Sequence, residues 1–142
     1  LLLADQRVDP SVANRHGFTA LMLAVGKGCA KVAQLLLADQ RVDPNMADPA
    51  HGFTPLIIAT QSGDATMVTL LLAHGRVDPN LATKTGVTAV SFAALKGHAK
   101  VLELLLADDR TTRTRPPEFA PDGARAAYDA ALFNVNNPRL AR

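Results

Sequence analysis

The sequence predicts an all-α solenoid of stacked helix-turn-helix units, with a short extended finger between one unit and the next. Three observations carry this. The stretch TPLIIATQSGDATMVTLLLAHGRVDPN at residues 54–80 returns as TALMLAVGKGCAKVAQLLLADQRVDPN at 19–45, and in part as TAVSFAALKGHAKVLELLLAD at 88–108. The repeat starts Thr19, Thr54 and Thr88 stand 35 and 34 residues apart, and self-similarity at such a period marks a solenoid. The opening LLLADQRVDP is identical to residues 35–44, so the chain is expected to begin inside a second helix, as a piece of a longer array.

Within each unit the residues dictate two helices and a break. Thr54 is a good N-cap, since its hydroxyl can accept from a free N–H of the first turn. Pro55 follows at the first helical position, where its missing N–H costs nothing. Thr19 and Thr88 keep the cap, with Ala20 and Ala89 in place of the proline. Gly63, like Gly28 and Gly97, can end the first helix in a left-handed conformation. The second helix puts Val68, Leu71 and Leu72 at helical spacing on one face. Val77-Asp78-Pro79-Asn80 then stops it, because proline disfavours the helical region for the residue before it. Gly17, Gly52 and Gly86 supply the turn before the next threonine.

These rules place helices at about 19–26 and 29–38, 54–61 and 64–73, and 88–95 and 98–107. The chain divides into a truncated first repeat (1–18), repeats at 19–53, 54–87 and 88–122, and a degenerate C-terminal capping repeat (123–142). The third repeat ends in an irregular loop rich in Pro and Arg, TTRTRPPEFAPDG at 111–123. GARAAYDAALF at 123–133 aligns with a first helix, and Asn137-Pro138 could cap a short last one.

The residues also resemble a known family. "TPL", Ala59 three residues on, Gly63, the run Leu70 to Leu72 and a closing Asp-x-Asn are similar to the ankyrin repeat, over about residues 1–110. The usual His after "TPL" is replaced by Met22, Ile57 and Ser91, and the stretch from the Leu run to the closing Asn is one residue longer than usual. The resemblance implies β-hairpin-like fingers at roughly a right angle to the helices, and protein partners met by the finger tips and first helices.

The bulk numbers bound the alternatives. At 142 residues the chain is one array. No apolar run approaches the roughly 18 residues needed to span a bilayer, so no membrane insertion is expected. Residues 1–109 hold nine Lys/Arg against ten Asp/Glu, or −1; residues 110–142 hold six Arg against three acids, or +3. The body is near neutral and the tail basic. One cysteine, Cys29, excludes an internal disulfide; a small buried or half-buried thiol is expected, with a reactive thiolate at a helix start as the alternative. An intracellular, cytoplasmic place is expected, with the nucleus as the alternative, and the isolated domain is expected to be monomeric.

Chemistry is not expected. His16 and His51 occupy the same place in successive fingers, about 10 Å apart at helix-packing distance, too far to share a metal at bonds of about 2 Å. His98 matches the Gly-His that opens second helices in the resembled family. No H-E-x-x-H, C-x-x-C, G-x-S-x-G or P-loop occurs. The reading is therefore not an enzyme, with no catalytic residue, no metal and no cofactor. Nucleic acid is not expected either, because aromatic and basic residues do not interleave. Arg110, Arg113 and Arg115 leave two readings, a solvated loop or a small anion or nucleic-acid contact.

What remains is a non-catalytic module that binds another protein by the concave finger and first-helix surface. Carried over from the resembled family, the contact positions are Arg15, His16 and Phe18, then Ala50, His51 and Phe53, then Lys84, Thr85 and Val87 in the fingers. On the helices they are Gly26 and Lys27, Gln61 and Ser62, and Leu95 and Lys96. Phe18 and Phe53 each precede a capping threonine. They are contact residues, enriched at interface hot spots, or staples onto the following helix, or both. The rival is an architectural spacer within a longer array.

Overall fold

A computed structural model describes residues 12–113 and 122–137. Among these residues the helices are α1 (Ala20–Gly26), α2 (Ala30–Ala38), α3 (Pro55–Ser62), α4 (Ala65–Leu72), α5 (Ala89–Lys96), α6 (Ala99–Ala107) and α7 (Asp122–Asn136). The pairs α1/α2, α3/α4 and α5/α6 stack in chain order. First helices α1, α3, α5 and α7 form one layer and second helices α2, α4 and α6 the other.

The caps are those the sequence requires. Thr19, Thr54 and Thr88 are extended, and their hydroxyls accept from the N–H groups of Met22, Ile57 and Ser91. Pro55 opens α3, and Gly63 and Gly97 close α3 and α5 in the left-handed region. Where the third repeat carries Ser91, its hydroxyl pairs with that of Thr88 at 3.2 Å, so this polar group is spent inside its own repeat.

The core lies between the two layers. Leu21, Ile57 and Val90 come from the first helices and Val68, Leu71, Val101, Leu102 and Leu105 from the second, all at most 2 % exposed. Each such burial is worth roughly 1.5–3 kcal/mol, and it exists only because neighbouring repeats stack. On α4 the buried stripe is Met67, Val68 and Leu71, with Leu72 half-buried. It is rotated from the expected Val68–Leu71–Leu72 because Met67, four residues before Leu71, shares its face.

The fingers are shorter than expected. Each closes on two backbone bonds: the N–H groups of Asn14, Asp48 and Thr83 donate to the carbonyls of Phe18, Phe53 and Val87, and those of Gly17, Gly52 and Gly86 donate back to the carbonyls of Asn14, Asp48 and Thr83. No strand forms among the described residues; one isolated bridge joins Ala82 and Thr88. The chain enters the next helix before a ladder can extend.

The bases of the fingers are tied from repeat to repeat. The Asn45 side chain donates to the Arg76 carbonyl at 2.7 Å and accepts from the Asp78 N–H at 2.8 Å. Asn80 makes the same pair of bonds with the Arg110 carbonyl (2.7 Å) and the Thr112 N–H (2.6 Å). Two arginines, Arg76 of "RVD" and Arg110 in the matching place of the next repeat, work in the opposite direction. Arg110 donates to the carbonyls of Leu72 at 2.6 Å and Val77 at 2.8 Å, while gripping Asp108 through two further bonds. Arg76 does the same to the carbonyls of Val42 and Gln40. A guanidinium has five donors in a rigid fork, which suits it to the orphan carbonyls that follow a helix.

The last unit departs from the expectation. α7 is a single 15-residue helix, longer than the first helix expected at 123–133, and it packs on both α5 and α6. Ala124, Tyr128 and Ala131 face inward, while Phe133 stays 54 % exposed. The short helix expected after Asn137-Pro138, the irregular loop at 114–121 and the start of the truncated repeat lie outside the described residues.

No helix among the described residues is long and apolar enough to cross a membrane.

Candidate functional site

The three finger tips stack into a row that runs beside the first helices. Pro49 lies directly over Gly17, which adopts φ +81; a Cβ there would stand 2.1 Å from the proline Cδ. Gly52, at φ +80, would place a Cβ 2.9 Å from the Lys84 nitrogen. That nitrogen donates to the His51 carbonyl at 3.0 Å, and the Lys84 ammonium donates to the Pro49 carbonyl. Both glycines have positive φ, and the space a Cβ would need is filled by the next finger, by the Pro49 ring at Gly17 and by the Lys84 backbone at Gly52.

Each tip is held by a polar side chain that the sequence reading did not single out. Asp48, only 2 % exposed, accepts from the N–H of Phe53 at 2.7 Å through one oxygen. Its other oxygen accepts from the N–H groups of His51 at 2.9 Å and Ala50 at 3.1 Å. The His51 ring adds a contact at 3.3 Å. Burial alone would raise this carboxyl; the bonds from Phe53 and His51 outweigh it and hold the pKa below the ordinary carboxylate value. Asn14 takes the same place in the first finger, accepting from the N–H groups of His16 and Phe18, and Thr83 in the third, accepting from Val87. The signal was present: an Asn, Asp or Thr a few residues before each turn glycine, the side chains that satisfy turn N–H groups.

The expected contact positions fall into two groups. Arg15, His16, Ala50, His51, Lys84 and Thr85 are exposed at the tips. Gly26, Lys27, Gln61, Ser62, Leu95 and Lys96 are exposed on the first helices. Phe18, Phe53 and Val87 are half-buried. The Phe53 ring meets Phe92 of α5 edge to face at 5.7 Å and the His51 ring at 5.6 Å. Half-buried Phe53 therefore ties its finger to α5, the first helix of the repeat at 88–122, one repeat beyond α3, the helix onto which a staple was expected. Ser62 is partly spent, since its hydroxyl donates to the Ile58 carbonyl.

Between the tips and the helix ends runs an apolar row missing from the expected set. Leu23, Ile58 and Phe92 are the fourth residues of α1, α3 and α5. Leu23 is 44 % exposed, and Leu95 one turn beyond Phe92 is 47 % exposed. Their common place four residues after the capping threonine was legible, but their outward direction was not.

Several expectations are corrected here. Cys29 is exposed, not buried; it flanks α2 outside the helical phase, so its side chain does not turn to the core. Arg110 is exposed, as a solvated loop residue would be, but its donors go to the Leu72 and Val77 carbonyls of the preceding repeat and to Asp108. Arg113 donates to the Leu106 carbonyl at 3.2 Å, and Arg115 lies outside the described residues. His98, expected to be structural, bonds the Gln61 carbonyl at 3.2 Å, and His74 bonds the Leu37 carbonyl at 3.0 Å.

An open groove of about 1000 Å³ lies on the opposite layer, between α2 and α4, where Leu37, Leu70, His74 and Arg76 line it. None of the expected contact residues reaches it.

Stacked helix pairs, threonine-capped and tied finger to finger, define a repeat solenoid. A family profile described as ankyrin repeats in three copies matches residues 40–115, and one described as ankyrin repeats in many copies matches residues 1–59. The first alone spans more than half of the 142 residues, and the chain belongs to the ankyrin-repeat family. Ankyrin repeats are in general protein–protein interaction modules, typically non-catalytic. The chain matched none of the curated proteins with which it was compared.

Proposed function

We propose that this chain is a non-catalytic module that binds a protein partner across its finger tips and first helices. The observation that carries this reading is the row of apolar side chains held half out of water on that face. Leu23 and Leu95 are each more than two-fifths exposed, beside Phe53 and Phe92, whose rings meet edge to face. Aromatic and large aliphatic groups on a rigid surface supply the buried centre of an interface at low entropic cost. Rigidity comes from the finger ties, so the surface needs little ordering on binding.

The test is capture from nuclease-treated lysate by three baits of matched melting temperature: the natural chain, Leu23→Ser/Leu95→Ser, and Phe133→Ser. A protein held by the first and third and lost by the second supports the reading. Equal retention by all three removes it from this face.

A further inference from the structure

The charge on this face is not that of the whole molecule. The repeats carry nine Lys/Arg against ten Asp/Glu over residues 1–109. Yet α1, α3 and α5 contain no carboxylate, and neither do the tips apart from Asp48. Asp48 is buried and satisfied by its own turn. The cations are on the face: Arg15 and Lys84 are exposed at the tips, the Lys84 ammonium also donating to the Pro49 carbonyl, and Lys27 and Lys96 are exposed at the ends of α1 and α5. His16 and His51 stand among the tip residues. The carboxylates have gone elsewhere. Asp39 and Asp108 pair with Arg41 and Arg110 at the finger bases, and Asp43 and Asp78 turn back to the N–H groups of Asn45 and Asn80. Asp64, whose Oδ2 would stand 3.6 Å from a Cβ on Gly28 beside Lys27, accepts from the Met67 N–H and caps α4.

The sequence register gives this segregation a shape. Lys27 and Lys96 occupy one repeat position two units apart, or roughly 20 Å at helix-packing distances. Arg15 and Lys84 are likewise two fingers apart on the opposite edge. Between the edges run Leu23, Ile58, Phe92 and Leu95. The surface is an apolar strip with positive charge along both sides.

We infer that the partner is an acidic protein segment, with apolar side chains seated on the strip and Asp or Glu side chains on its flanks; this rests on the binding face proposed above. Charge complementarity decides the class. Carboxylates would meet cations on both edges, raising the association rate and rejecting basic segments. The strip argues against nucleic acid, whose phosphates gain nothing from exposed leucines. A segment of about 7 residues if extended, or about 13 if helical, spans the distance between Lys27 and Lys96.

The experiment is selection from a random 16-residue peptide library displayed on phage, followed by fluorescence anisotropy with the enriched peptides. Enriched peptides are expected to be net acidic and to carry apolar residues. Their affinity should fall about tenfold or more for Arg15→Glu/Lys27→Glu/Lys96→Glu, and about tenfold between 50 and 300 mM salt. Leu23→Ser/Leu95→Ser should abolish binding. The charge-reversed chain is checked by its melting temperature, with Lys27→Ala/Lys96→Ala as the milder pair, expected to lose several-fold. Neutral or basic peptides that still need Leu23 and Leu95 would overturn the acidic partner and leave the face standing. Peptides indifferent to both sets of changes, or none enriched, would remove both. A labelled 20-nucleotide single strand bound as tightly as the peptides, and insensitive to Leu23→Ser/Leu95→Ser, would replace the protein partner with nucleic acid.

Discussion

The base and the tip of each finger carry similar side chains and use them in opposite ways. At the base, Arg110 donates to Leu72, Val77 and Asp108, and Asn80 bridges Arg110 and Thr112. At the tip, Arg15 stands exposed beside an Asn14 that serves only its own turn. Residue type does not separate the two arginines. What separates them is whether carbonyls of the preceding repeat converge on the guanidinium. Saturated groups hold repeats in register, and groups left in water are available to a partner.

The comparison can be broken at the joint between the fingers. Gly52→Ala would force a left-handed alanine, costing about 1–2 kcal/mol, and would press its Cβ to 2.9 Å from the Lys84 nitrogen. The expected loss is about 2–3 kcal/mol in urea unfolding. A change under about 0.5 kcal/mol would mean that the tips are not stacked as described.

The base comes next. Asn45→Ala removes two bonds to the following repeat and Arg110→Ala removes the clamp. Each is expected to cost about 1–2 kcal/mol, since a net hydrogen bond contributes about 1 kcal/mol and carbonyls are left short of donors. Arg15→Ala at the tip should stay within about 0.5 kcal/mol of the natural chain. Equal costs for Arg15 and Arg110 would erase the distinction.

Acidity sharpens it further. The Arg110 side chain beside Asp108 and the Arg41 side chain beside Asp39 hold those carboxyls below the ordinary range, and turn N–H groups overcome burial to do so for Asp48. A carboxyl lowered on folding stabilises the folded state above its unfolded value, about 3.9, and that contribution is lost as pH falls through the lower folded value. Stability should therefore decline below about pH 4. Asp48→Asn should flatten part of that decline while costing about 1 kcal/mol at pH 7, because Asn14 shows that an amide can hold the shorter turn. An unchanged acid limb would place the sensitivity at the bases alone.

An effect of similar size is expected at Phe53. Because it contacts Phe92 of α5 in the repeat at 88–122, Phe53→Leu should lower stability by about 1 kcal/mol through the lost aromatic pair and weaken partner binding severalfold. Phe18→Leu, at the same place one repeat earlier, gives the matching measurement.

What the sequence made legible was local. Thr19, Thr54 and Thr88 announce helix starts because a cap acts within three residues, and Gly63 and Gly97 announce ends for the same reason. The Leu runs declare a buried face, although a partial rotation of that face put Met67 in and left Leu72 half-buried. The Arg110 clamp was illegible because its acceptors, the Leu72 and Val77 carbonyls, lie 38 and 33 residues back and meet it only after stacking. Cys29 was misjudged because its place just outside α2 sets its direction. Phe53 was read as a contact or as a staple onto the helix that follows it; its ring instead meets Phe92 of α5, 39 residues on, a partner that only stacking supplies.

The most direct test is amide hydrogen exchange of the chain, free and bound to the protein it captures. The account expects slowed exchange at the tips around 15–18, 48–53 and 84–87 and along α1, α3 and α5. The finger bases around 39–45, 74–80 and 108–113 should be unchanged. Protection concentrated instead at those bases, or along the α2–α4 groove, would contradict it.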